Sequence, residues 1–170
     1  MTGPVGLMEA CIPALRRYAA TLLRDRQEVD DLVHDCLVRA LDQIHTRRAG
    51  ADMRAWLFAI MHNLFVDRLR QRKRRGAPLP AEELGNAAPS TRAGQEEHVH
   101  AADIISAMQL LPEEQRSVLL LVSVEDLSYA EVAQVLGIPI GTVMSRLARA
   151  RERLREITDG QAAPSLRRVK

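Results

Sequence analysis

Three features of the chain predict an all-α protein of two small helical modules joined by a flexible linker, with a helix-turn-helix in the C-terminal module. Apolar residues recur at helical spacing in the segments that carry them. Residues 76–100 interrupt that pattern with proline, glycine and glutamate. The segment from Ser128 to Arg155 reads as two short helices around a tight turn. Accordingly, residues 1–75 form one module, 76–100 an acidic linker, 101–160 the second module and 161–170 a loose tail. An apolar share of 46% in 170 residues allows two small cores, built with only five aromatics.

In chain order, the first helix is predicted over Leu7–Leu23, with Ile12, Leu15, Ala19 and Leu22 at helical spacing and Pro13 tolerated in the first turn. A second helix runs from about Val29 to Ile44. Its stripe of Val29, Val33, Cys36, Leu37, Ala40 and Ile44 faces a core, while Asp31, Asp35, Val38 and Asp42 face outward. That outer face is either a docking surface or a solvated one, and solvation is the ordinary state of a charged helix face. The loop His45 to Asp52 carries two arginines, and Met53 opens a third helix reaching about Arg70. Trp56, Leu57, Ile60, Met61 and Leu64 make its main stripe, yet Phe58, Phe65, Val66 and Leu69 spread apolar surface nearly all round. Such a helix is buried on more than one side. Its polar residues His62, Asn63, Asp67 and Arg68 are therefore few.

Residues 68–75, RLRQRKRR, hold six basic residues in eight. Neutralised phosphates release counterions, so this block suits salt-sensitive, sequence-tolerant nucleic-acid binding; the bland alternative is a solvated helix end with cations at the favourable pole of the dipole. The linker that follows carries three prolines, three glycines and four glutamates between Gly76 and Val99. It can span up to ~80 Å when extended. His98 and His100 form a pair without further ligands at metal spacing, so no metal site is expected. Two more helices, Ala101 to Leu110 and Pro112 to Val124, break at Leu111-Pro112, because the residue before proline avoids helical angles. From them Ile104, Ile105, Met108, Val118, Leu121 and Val122 pack under the helix-turn-helix.

Within Ser128–Arg155, Ser128 and Glu131 have capping-box spacing, and Gly137 suits the left-handed C′ position. Ala133 is small enough for a close helix crossing. In the second helix, from about Thr142, residues Val143, Leu147, Ala150 and Leu154 fall within ~40° of one another at ~100° per residue. Ser145, Arg146, Arg149 and Arg153 fall on the opposite side. A guanidinium there can hold guanine O6 and N7 or clamp phosphate, so this helix reads as a DNA reader rather than a merely solvated face.

The net charge of +2 hides strong segregation of sign. Cys11 and Cys36 are too few for a disulfide framework and read as small core residues in a reducing cytoplasm. The N-terminal stretch lacks a signal-peptide pattern, and no apolar run approaches a membrane span. No nucleophile elbow, zinc-protease motif, phosphate loop or dinucleotide turn is present, so a binder rather than an enzyme is expected.

The combination is specific. RAWLFAIMHNLFVDRLRQRKRR, preceded by VDDLVHDCLVRAL and followed beyond the linker by LPEEQRSVLLL and LSYAEVAQVLGIPIGTVMSRLARARERLR, resembles the two conserved modules of extracytoplasmic function sigma factors of bacterial RNA polymerase. The likeness covers about residues 7–75 and 104–156. It implies a factor that binds the polymerase core and directs promoter-specific initiation, with no cofactor and with chemistry left to the polymerase. The second helix then resembles the segment that docks on the clamp of the largest subunit, with Asp31, Leu32, Asp35 and Val38 on or near its exposed side. The loop holding Arg47 and Arg48, the helix holding His62 and Asn63, and the basic residues Arg68, Arg70, Lys73 and Arg74 resemble the elements that open the −10 promoter element and hold an extruded base. The last helix resembles the −35 reader, with Thr142, Met144, Ser145, Ala148 and Arg149 added to or shared with the arginine face, and Met144 standing where relatives commonly have lysine or arginine. Promoter DNA, polymerase core and an anti-sigma factor are the implied partners, in the cytoplasm and without membrane insertion. The competing classes are a stand-alone helix-turn-helix regulator and a protein-binding adaptor.

Overall fold

The computed structural model describes residues 3–47, 50–76, 104 and 106–161, with side chains to residue 159. Arg48, Ile105, most of the linker and the tail from 162 lie outside the described residues. No strand occurs among those described; the elements are α1 (Pro4–Leu22), α2 (Arg26–Gln43), a 3-10 turn (Ile44–Thr46), α3 (Met53–Arg74), α4 (Glu113–Ser123), α5 (Tyr129–Leu136) and α6 (Ile140–Gln161). Residues 106–109 are also helical, ahead of the break at Leu111-Pro112.

Local chemistry sets most of these boundaries. Asp25 starts α2 by accepting the Glu28 amide at 2.9 Å, and Asp52 starts α3 by accepting the Ala55 amide at 2.8 Å. Arg72, Lys73 and Arg74 occupy the last turn of α3, where the helix dipole favours cations. Pro112 precedes α4, and Glu113 and Glu114 fill its first turn. α1 starts earlier than expected, at Pro4, so Pro13 lies inside the helix rather than in its first turn. One backbone bond is lost there, on an exposed turn that water can reach.

α1, α2 and α3 pack on one another around Leu15, Tyr18, Leu32, Cys36, Leu57, Phe58 and Met61, all without measurable exposure. The Tyr18 and Phe58 rings meet edge to face, centroids 5.3 Å apart. Leu32 is a correction: the sequence reading placed it at the outer side of α2, but it is fully buried. A helix wedged between two others presents a wider stripe to the core than one contact would need. In the second group, α4, α5 and α6 close around Val118, Leu121, Val143, Leu147 and Ala150, as their spacing predicted, together with Val132 of α5. Met108 joins this core, whereas Ile104 is 47% exposed and does not pack under the helix-turn-helix.

The two groups are not separate bodies. α3 packs against α5, α1 packs against α4, and the buried residues of both form one continuous apolar cluster. The all-round apolar character of α3 is satisfied in this way, by its own module on one side and the second module on another.

Gly137 ends α5 at φ 63°, with its amide bonded to the Ala133 carbonyl and no heavy atom within 4 Å of where a Cβ would stand. Its value is therefore conformational. Gly137→Ala is expected to lower unfolding stability by about 1–2 kcal/mol, and Gly137→Asn by less, measured as a shift of the urea midpoint at unchanged slope.

Candidate nucleic-acid interface

The helix-turn-helix is built by the interactions its sequence encodes. The Glu131 amide donates to Ser128 Oγ at 3.3 Å, and the Ser128 amide donates to Glu131 Oε2 at 2.8 Å, completing a reciprocal cap. Beyond the left-handed Gly137, the Ile138 amide also reaches the Ala133 carbonyl, at 3.1 Å. α6 then begins at Ile140, two residues before expected, and continues to Gln161. Burial of Val143, Leu147 and Ala150 fixes its rotation. Met144, Ser145, Ala148, Arg149 and Arg153 consequently face solvent, with Met144 54% exposed. Thr142 is half-buried, and its carbonyl accepts from Ser145 Oγ at 3.1 Å. This is a long, mixed face with guanidiniums that a major groove can admit.

Arg146 departs from the expected outer face. Its side chain is only 23% exposed and pairs with Glu114 of α4 at 2.9 Å. Its cation also acts on His62 of α3, across the junction of the two modules.

Part of the basic run at the end of α3 is likewise paired with carboxylates of α2. Arg68 binds Asp35 of α2 at 2.6 Å, and Arg72 binds Glu28 of α2. Arg70, Lys73, Arg74 and Arg75 remain exposed, Arg70 lying 3.7 Å from Asp67 one turn earlier. Arg47 is half-buried and donates to the carbonyl of Ala51, which closes its own loop. Asn63 is exposed. The expected −10 set is thus split: Asn63, Arg70, Lys73 and Arg74 face outward, Arg68 is paired with Asp35 at the surface, and His62 is engaged inside the fold.

On α2, Asp31, Asp35 and Val38 are exposed as expected, and Leu41, one turn beyond Val38, is 49% exposed beside them. The sequence reading passed over Leu41, although an apolar pair at a spacing of three was its visible signal. Val38 lies with Asp35, Arg39, Asp42 and Leu64 along an open groove between α2 and α3.

The junction itself escaped the sequence reading. Glu125, in the loop between α4 and α5, has no solvent exposure. Arg17 of α1 grips both its oxygens, Nε to Oε1 at 3.0 Å and Nη2 to Oε2 at 3.1 Å, and Arg54 of α3 binds Oε2 from the other side. Arg116 of α4 donates to the Thr21 carbonyl of α1 and to the Leu111 carbonyl at 2.8 Å. Close by, Tyr18 Oη lies 3.1 Å from His62 Nδ1, which accepts from the phenol when unprotonated. Burial, and then the Arg146 cation, lower the His62 pKa from 6.5 to about 4. Burial and the neighbouring Glu114 carboxylate push Glu113 up. No cluster of three metal-ligating side chains occurs among the described residues, and none of their helices is long and apolar enough to cross a membrane.

Residues 101–154 match the family described as sigma-70, region 4, and residues 8–62 match the sigma2 domain of PhyR. The chain is 37% identical over 145 residues to the ECF RNA polymerase sigma factor EcfG of Rhodopseudomonas palustris, a match spanning 85% of this chain and 79% of that one. Among solved structures it resembles the sigma factor RpoE in complex with the anti-sigma factor NepR from Bartonella quintana, with a TM-score of 0.74 and 30% identity over 89% of this chain and 94% of that one. CnrH, solved in complex with the cytosolic domain of CnrY, is similar at a TM-score of 0.67 and 25% identity, over 92% and 88% of the two chains.

The site generates a pH prediction. A histidine whose pKa is lowered by burial favours the packed arrangement fully above its free value of 6.5 and progressively less as pH falls toward about 4. NMR titration of the His62 ring is expected to give a midpoint near 4, and unfolding stability should decline between those two values, with Tyr18 and Arg146 as the facing groups.

Proposed function

The chain belongs to the extracytoplasmic function sigma factors, which makes it a factor directing promoter-specific transcription initiation by RNA polymerase, and from that premise we propose how its surfaces divide the work. Residues 101–160 act as region 4, the −35 reader, and residues 1–75 as region 2, which docks on the core and opens the −10 element. Residues 76–100 connect them. The observation that carries this assignment is the outward set on α6, held in place by a fully buried Val143 and Ala150.

On that face Arg149 is the base reader, able to form a bidentate contact with guanine, while Met144 supplies an apolar contact of the kind a thymine methyl accepts. Thr142, Ser145, Ala148 and Arg153 complete the contact, and Arg146 joins it once released from Glu114. In region 2, Asn63 holds an extruded base, a role that suits an exposed amide on an otherwise immobilised helix. Arg47, Arg70, Lys73 and Arg74 bind phosphates, joined by Arg68 and His62 when their internal partners let go; Arg48 belongs to the same expected set.

The core-docking surface is Asp31, Asp35, Val38 and Leu41 on α2, against the clamp of the largest subunit. Charged groups around an apolar centre set register and encounter rate, and the apolar centre supplies desolvation. Catalysis stays with the polymerase, and the chain works in the cytoplasm. An anti-sigma factor is the proposed regulator, on the strength of RpoE of Bartonella quintana having been solved with NepR.

Three variants test these roles. Arg149→Ala is expected to lose ~1–3 kcal/mol of discrimination between specific and random duplexes, whereas Lys73→Ala weakens both alike and reduces the salt slope by about one. Val38→Arg, exposed and outside the core, is expected to abolish binding to polymerase core and run-off transcription at unchanged melting temperature. Normal core binding by that variant would remove α2 from the docking surface. Asp35→Arg is a less clean probe, because it also breaks the Arg68 pair.

A further inference from the structure

Among the described residues Glu125 is a charged side chain with no solvent exposure, and both its ligands come from the other module. Such a carboxylate is tolerable only while its partners stay in place. The next residue, Asp126, takes a left-handed φ of 55°, a conformation tolerated by aspartate, which turns the chain at the point where Glu125 enters the junction. Arg116 adds a second tie, from α4 to the carbonyl of Thr21.

This closed arrangement conflicts with reading a promoter. Elements centred at −35 and −10 lie 25 base pairs apart, or ~85 Å along B-DNA at ~3.4 Å per step. Here the −10 helix α3 packs directly on α5 of the helix-turn-helix, and Arg146 of the reading helix acts on His62 of α3. One closed molecule cannot rest on both elements. The stretch between residues 76 and 104 can cover ~90–100 Å when extended, so separation of the modules is within the reach of the chain.

We propose that Arg17, Arg54 and Glu125 form an intramolecular clasp that holds the free sigma factor shut, an autoinhibited form that must open before promoter and core can be engaged together. The inference rests on the sigma-factor reading for its inhibitory meaning, and on the junction geometry alone for the clasp. Separation exposes Glu125 to water and frees the two guanidiniums, together with the apolar contacts of α3 on α5. An assembly of core and promoter, which needs the two modules apart, shows for a chain that is mostly closed an apparent affinity reduced in proportion to the open fraction.

The test uses the full-length chain and three single variants, Glu125→Gln, Arg17→Ala and Arg54→Ala. Each is expected to raise the open fraction by on the order of 100-fold, seen as a larger radius of gyration in small-angle scattering at unchanged helix content. The His62 titration midpoint should move back toward 6.5 in each. Affinity for an assembly of core and promoter, and run-off transcription at limiting factor, should rise. Unchanged scattering and His62 titration in the two arginine variants would overturn the clasp, including the case in which Glu125→Gln alone loses helicity because the residue merely supports its own loop. Opening without any gain in run-off transcription would overturn the inhibitory role. Failure of wild type and variants alike to bind core would sink the sigma-factor reading together with that role, while the scattering still decides the clasp.

Discussion

A single carboxylate, Glu125, held by guanidiniums from two different helices of the other module, sets the relation between the two halves of this molecule. Around it follow the seating of α3 on α5, the tie from Arg116 to Thr21, and the dry environment that keeps His62 neutral. Physical chemistry makes this an odd choice if stability were the aim. Apolar side chains of similar volume often hold two surfaces together as well as a buried ion group or better, because they incur no charge desolvation. What the ion group adds is orientation, since a bidentate guanidinium fixes angles as well as distance.

The arginines show how little residue type says about role. The chain has 24 lysines and arginines and a net charge of +2. Arg17, Arg54, Arg68, Arg72, Arg116 and Arg146 are engaged with groups of this same chain, whereas Lys73, Arg74, Arg149 and Arg153 point into solvent. The exposed pairs contribute little individually, on the order of 0–1 kcal/mol, but they decide which cations a nucleic acid meets first. Counterion release counts only the cations that reach phosphate, so Arg68 and Arg72 must exchange a carboxylate for a phosphate before they contribute.

Features encoded locally were legible in the sequence. Ser128 with Glu131 announced a cap, Gly137 a left-handed stop, and Val143, Leu147 and Ala150 a buried stripe, because each depends on residues within two turns of one another. The nearly all-round apolar surface of α3 correctly implied a second packing partner without naming it. The errors lie where a contact comes from far along the chain. Leu32 was set on or near the exposed side by the family resemblance and not by the helix spacing, and the packing of α2 against both α1 and α3 buries it, while Arg146 was placed outward because nothing near it in sequence announces Glu114. Glu125 carried no signal at all: a carboxylate in a short loop ordinarily meets water, and the residues that bury it stand 108 and 71 positions away.

The exposed surfaces of the closed form constrain what can open it. Arg149, Asn63 and Val38 all face solvent while the modules are packed. A ligand that touches only one of these surfaces binds closed and open chains alike, and a ligand with equal affinity for two states shifts neither. An isolated −35 duplex therefore leaves the equilibrium where it stood, as does a partner confined to α2. A ligand favours opening when its own geometry holds the two modules at a separation that the closed form cannot reach, or when it takes up groups now spent inside, such as Arg146 and His62. Polymerase bound to a promoter meets the first condition, because its docking site and the two DNA elements are fixed relative to one another. Free DNA meets it poorly, since an unmelted −10 element offers no extruded base. Coupling through an internal clasp thus ties occupancy of DNA to occupancy of polymerase, and it does so by geometry alone, without a ligand pocket or a sensing domain.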